Sequence, residues 1–154
     1  FRSNPEAHSE PTGMRSSNER ERALLTVVLT EGEKTYRVST THFTRTPDAR
    51  VDDLQRAHFR IMLRLLSAYD DAHGVILTGD FNTPRGDELY DTLAATYRDN
   101  IPPEIVTTLD QHLHRVKGLM YVVDGLFTTP NYSVGDVEVI DGVSDHKAIF
   151  AKIA

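Results

Sequence analysis

The sequence predicts an α/β chain built on a mixed β-sheet, and three observations predict it. Two apolar runs, residues 23–30 and 36–43, flank a short polar turn in the pattern of a β-hairpin. A stripe of helical period separates the second run from a third, residues 75–78. Strand, helix and strand in that order form a crossover unit. Three more strand-like runs, at 120–127, 137–140 and 148–153, close the chain.

Taken in order, residues 1–19 are rich in Ser, Pro, Asn and Glu without an apolar period, and read as a polar arm or loop. Residues 31–34, Glu-Gly-Glu-Lys, turn the hairpin. Thr46-Pro47 reads as an N-cap with proline in the first turn. The helix it opens carries Val51, Leu54, Ile61, Met62, Leu65, Leu66 and Tyr69 as an apolar stripe, stopped by His73-Gly74. Val75-Ile76-Leu77-Thr78 is a short buried strand, and Gly79 frees the backbone after it. Asp80 and Asn82 are two apart on an extended segment, so their side chains project the same way, and Pro84 ends the ladder. A strand end in such a sheet is where ligands sit. Asp87 caps a second helix with Leu89, Leu93 and Tyr97 on one face, broken at residues 100–104. Residues 105–118 read as a long loop.

A chain of 154 residues can bury one sizeable core. Its 39% hydrophobic and 26% charged content is that of a globular chain rather than a disordered one. No run reaches the apolar length of a membrane span. The first residues are polar, unlike a secretory leader, and the lack of an initiator Met points to a processed chain or a piece of a longer one. With no cysteine there are neither disulfides nor thiolate metal sites. A net charge of −6 argues against a strongly basic nucleic-acid footprint. It leaves open a nuclease whose clustered acids hold a divalent cation.

Four short motifs carry the chemistry: Thr40-Thr41-His42-Phe43, Gly79-Asp80-Phe81-Asn82, Val123-Asp124-Gly125-Leu126-Phe127 and Ser144-Asp145-His146. Taken singly, Asp80-Asn82 and Asp145-His146 also fit plain turns, Asp124 a bend before Gly125, and His42 a satisfied strand-end histidine. Together they offer an acid inside an apolar run and a histidine to partner it, which a buried acid needs.

These motifs, in this order, resemble the endonuclease/exonuclease/phosphatase superfamily, with its deoxyribonuclease I-like fold, from about Arg22 to Ile153. The resemblance implies half or most of a four-layer α-β-β-α sandwich, with a mixed sheet and helices on one face. It implies a metal-dependent phosphoesterase in which water attacks the phosphorus in line. His146 would be the base, oriented by Asp124. Asp80 would orient the nucleophile or approach the metal. Asn82 would donate to a phosphoryl oxygen, and His42 to the phosphate or the leaving group. Asp145, with Asp80 and Asn82, would bind Mg²⁺ or Mn²⁺. Arg45 and Arg85 could meet substrate phosphates, although solvated surface charges read as well. His8, His58, His73, His112 and His114 carry no role in this reading.

Family members cut DNA, RNA, sphingomyelin or inositol phosphates, so the resemblance leaves the substrate open. The family's first half also brings a strand ending in a metal-site Asn and a Gln-Glu pair whose Glu is the main metal ligand. Neither occurs here; Asn4, Glu6 and Glu10 lie in a polar stretch without an apolar strand before it. Residues 20–154 are therefore expected to be the C-terminal portion of such a domain, with a cation held weakly and a bare sheet face that could pair two copies. The competing expectation is a non-catalytic interaction module, or a degenerate fold acting through dimerisation.

Overall fold

A computed structural model describes residues 21–68 and 74–154. The arm at 1–19, Tyr69 and His73 lie outside these. The elements are β1 (Leu24–Glu31), β2 (Lys34–His42), α1 (Asp53–Ser67), β3 (Ile76–Asp80), α2 (Glu88–Thr96), β4 (Arg98–Asp99), β5 (Asp124–Thr128), β6 (Val134–Ile140) and β7 (Ala148–Ile153). The first five strands form one mixed sheet in the order β1-β2-β3-β5-β4, and β6 pairs with β7 in a second, smaller sheet. The hairpin closes through Gly32-Glu33, and β2 runs parallel to β3 across α1 as the crossover requires.

Alternation along the strands assigns the layers. Phe59 of α1 meets Phe43 edge-on, and Tyr90 of α2 meets Phe127. Phe43 and Phe127 share a face with Ser39 and Leu77 by register. Both helices therefore cover one face of the five-stranded sheet. The opposite face presents Val38, Ile76, Thr78 and Leu126 across a cleft of about 410 Å³ to Ile149, Ala151 and Ile153 of β7. Among the described residues the layers are helices, large sheet and small sheet. Cross-strand register puts Leu25, Val27 and Leu29 on this second face, with Val27 opposite Val38. They stay uncovered: Leu25 is 61% and Leu29 55% exposed.

Several expected boundaries move. Thr46-Pro47 opens a single 3₁₀ turn, Pro47–Ala49, and makes no side-chain cap. α1 starts at Asp53, where Asp52 accepts from Gln55 N at 2.7 Å. The buried face of α1 is Gln55, Phe59, Met62 and Leu66, while Leu54 and Leu65 are 40% and 37% exposed. The stripe is displaced because Gln55, a polar residue, is buried for its hydrogen bonds. β5 begins at Asp124, later than the apolar run suggests, and β6 begins earlier, at Val134. β4 is only two residues long, too short to register as a pattern.

Candidate active site

β3 and β5 pair antiparallel with Asp80 opposite Asp124, and β2 sets His42 beside Asp80. Three chemically active side chains thus stand at adjoining strand ends. Gly79 makes this possible. Its φ is +132°, and a Cβ there would sit 2.0 Å from the Thr41 carbonyl oxygen, so only glycine lets β3 lie this close to β2.

The strand stops at Asp80 instead of running on to Pro84. Asn82 is left-handed, with φ 51°, and its N–H donates to Asp80 Oδ1 at 2.8 Å. Its carboxamide turns back to donate to the Phe43 carbonyl at 3.0 Å. The parallel projection expected for an extended segment is therefore replaced by a tight turn in which Asn82 braces Asp80. Gln55, wholly buried, holds the same turn by donating Nε2–H to Thr44 O at 2.8 Å and Asn82 O at 3.3 Å. Gln55 was not singled out from sequence; a glutamine on the inward side of an amphipathic helix is the signal that could have found it.

His146 Nδ1 lies 2.8 Å from Asp124 Oδ2. Asp124 is fixed by Thr108, whose hydroxyl accepts from Val123 N and Asp124 N, each at 3.1 Å. The backbone of His146 is tied by Ser144, whose Oγ accepts from its N–H at 3.1 Å. The hydrogen bond to Asp124 raises the imidazole to a pKa of about 9; burial opposes this, while the charges of Asp124, Asp80 and Asp145 assist. Burial, then the Asp124 charge, pushes the Asp80 carboxyl above the usual range against the opposing Asn82 N–H. His42 is exposed, with Nε2 3.5 Å from Asp80 Oδ2.

Asp80, Asp124 and His146 offer ligand atoms within 4.8 Å of one another, a possible metal site. This differs from the expected Asp80, Asn82 and Asp145: Asn82 is engaged in the turn and Asp145 is exposed on the adjoining loop. Arg85 is engaged by its own loop. Its guanidinium contacts Asp99 and donates to the carbonyls of Ile101, Pro102 and Ile105, and it stacks 5.8 Å from the Tyr90 ring centroid. That fork staples the loop after β4, with most of its N–H groups engaged there. Arg45 is exposed. His58 is a packing residue, 2.7 Å from Thr44 Oγ1, with burial lowering its pKa. His114, assigned no role from sequence, stands with its ring centroid 6.2 Å from that of His146, edge to face.

No protein-family model and no curated protein matches the chain. Solved structures do. An endonuclease/exonuclease/phosphatase from Bacteroides vulgatus aligns at TM-score 0.62 and 22% identity, over 80% of this chain and 51% of that one. Bacteroides thetaiotaomicron mannosyl-6-phosphatase aligns at 0.56 and 15%, over 80% and 52%. D. rerio TDP2, complexed with single strand DNA product, aligns at 0.65 and 18%, over 86% and 62%. The fold is that of the endonuclease/exonuclease/phosphatase superfamily, and the chain spans about half the length of the first structures it matches.

Proposed function

We propose that the chain is the C-terminal portion of a cation-dependent phosphoesterase, with His146 as the base. The observation that carries this reading is the 2.8 Å bond between His146 Nδ1 and Asp124 Oδ2 beside the Asp80 carboxylate. Accepting from Nδ1–H leaves Nε2 as the nitrogen that takes a proton from the attacking water. Asn82 keeps Asp80 turned toward the same spot, where it orients that water, and the second N–H of its carboxamide serves a phosphoryl oxygen. His42, exposed and beside Asp80, meets the phosphate or the leaving oxygen.

The donor set fits a hard divalent cation such as Mg²⁺ or Mn²⁺. Two half-buried carboxylates stand at neighbouring strand ends, and Asp80 is held above its usual pKa by burial and its neighbour's charge. Asp80 would hold it with the Asp124 oxygen that does not meet His146, and the exposed Asp145 would add a carboxylate from the adjoining loop. Such an ion supplies charge neutralisation for the phosphoryl oxygens. Its positive charge beside the ring would lower the His146 pKa, in the direction of the neutral imidazole that acts as base.

One neighbour is a mannosyl-6-phosphatase and another is complexed with a single strand DNA product, so both a phosphomonoester and a phosphodiester are tried as substrates. The test is hydrolysis of p-nitrophenyl phosphate and bis(p-nitrophenyl) phosphate with Mg²⁺ or Mn²⁺, by this chain and by any longer product of its gene. Cation-dependent turnover that is lost in His146→Ala supports the reading; turnover that survives this change defeats it.

A second reading rests on the uncovered residues Leu25, Val27 and Leu29, beside an apolar cleft. This face closes against a second copy or against the rest of a longer chain, and a module acting only through that contact needs no catalysis. A stable monomer by light scattering, unchanged by Val27→Glu, speaks against association through it.

A further inference from the structure

Residues 105–118 contain no helix or strand, yet Asp110 among them is 1% exposed. A buried carboxylate persists only when its oxygens are hydrogen-bonded. Oδ1 accepts from His112 N at 2.7 Å and Leu113 N at 2.9 Å. Oδ2 accepts from Gly142 N at 2.7 Å, across 32 residues of sequence. The backbone of Asp110 joins the same two loops: its N–H donates to Asp145 O at 3.0 Å and its carbonyl accepts from His114 N at 2.8 Å. Leu109 bridges to His146, and Lys147 N donates to Thr108 O at 2.8 Å. Every residue from Asp141 to Asp145 is exposed. Packing therefore does not hold the loop that leads into His146; these hydrogen bonds do, together with the Lys147–Asp141 ion pair at 3.2 Å and the Ser144 hydroxyl.

We propose that Asp110 is a positioning residue for His146. Its two oxygens clamp the turn at 112–113 to Gly142, so that the loop bearing Asp145 keeps the imidazole against Asp124 and beside His114. The inference rests on reading His146 as the base. It predicts that an isosteric amide cannot replace the carboxylate. Asn accepts through one oxygen only, so whichever way it turns, either Gly142 or the 112–113 pair faces an N–H instead of an acceptor.

The test compares Asp110→Asn with Asp87→Asn, which alters the N-cap of α2, an element that carries none of the proposed catalytic residues. Three readouts are taken: the low-field Nδ1–H resonance of His146 by NMR, amide exchange of Gly142, and kcat and KM with bis(p-nitrophenyl) phosphate. In Asp110→Asn the His146 resonance should broaden or vanish, and Gly142 should exchange at least about tenfold faster. Its kcat should fall by about 10²-fold with KM little changed. Asp87→Asn should leave all three as in the parent. The inference is overturned if Asp110→Asn keeps the resonance and the slow exchange, or if Asp87→Asn alters them equally. If neither this chain nor a longer product of its gene hydrolyses a phosphate ester, the functional reading fails while the two spectroscopic readouts still decide the clamp.

Discussion

Replacing Asp124 with Asn tests the pair at the centre of the site. Asp124 Oδ2 meets His146 Nδ1 at 2.8 Å, and the imidazole sits at about 9 against an ordinary 6.5. At 1.36 kcal/mol per pH unit, that rise is worth roughly 3 kcal/mol of preference for the charged ring. The folded pKa is raised, so the stabilisation is complete below the unfolded value. It drains away as pH climbs through the folded one. The parent should therefore lose about 2–3 kcal/mol of unfolding free energy from pH ~6.5 to ~9. In Asp124→Asn the carboxylate bond and its charge are gone while burial still opposes the cation. The His146 midpoint should drop from about 9 toward 6.5, with Asp80 and Asp145 still raising it against burial, and the stability slope across that window should flatten. Histidine Cε1–H shifts followed by NMR titration, with urea unfolding at both ends of the window, measure this. A parent midpoint near ~6.5, or an Asp124→Asn midpoint still above ~8, would refute the reasoning.

Other outcomes follow from the same geometry. His146→Ala should cut cation-dependent phosphodiester turnover by about 10²–10⁴-fold, measured by p-nitrophenolate release. Gly79→Ala should cost at least about 2 kcal/mol in urea unfolding, because both the +132° φ and the Thr41 carbonyl exclude a Cβ; a neutral result would contradict the β2–β3 spacing. Gln55→Leu should cost about 1–3 kcal/mol by stripping donors from the Thr44 and Asn82 carbonyls, and should also slow turnover by loosening Asp80. Adding Mg²⁺ should move the parent's His146 midpoint downward, and the same titration on Asp80→Asn should show a smaller displacement.

The strands were legible wherever period and composition agreed. The hairpin needed only two apolar runs and Gly32, and Asp87 marked the start of α2 directly. α1 was read too early because Thr46-Pro47 has the composition of a cap without making one; Asp52 does the capping. The four motifs marked residues that the fold does bring together: His42, Asp80, Asp124 and His146. Their support was harder to see. Gln55 is polar and falls outside the apolar stripe, and its partners lie 11 and 27 residues away. Thr108 and Asp110 sit in a stretch with no period, and their bonds to Asp124 and Gly142 are set by tertiary structure. Asp110 did leave a local trace, an acid followed at two and three residues by the N–H groups it accepts from. For Arg85 the sequence left two readings open, and the carbonyls that engage its guanidinium are set by the tertiary path of the loop it staples.

The opposition of Asp80 and Asp124 has a consequence for how samples of this protein behave. Both residues owe their position to one ladder, in which Leu77 meets Phe127 and Gly79 meets Gly125. A slip of one residue would send Asp124 to the helix side and present Gly125 to Asp80, since side chains alternate. Under the proposed function such a molecule would be a blank and not a slower catalyst. Specific activity across preparations would then count the fraction of chains that paired correctly, and an active-site titration should track that fraction while the turnover of each competent molecule stays constant.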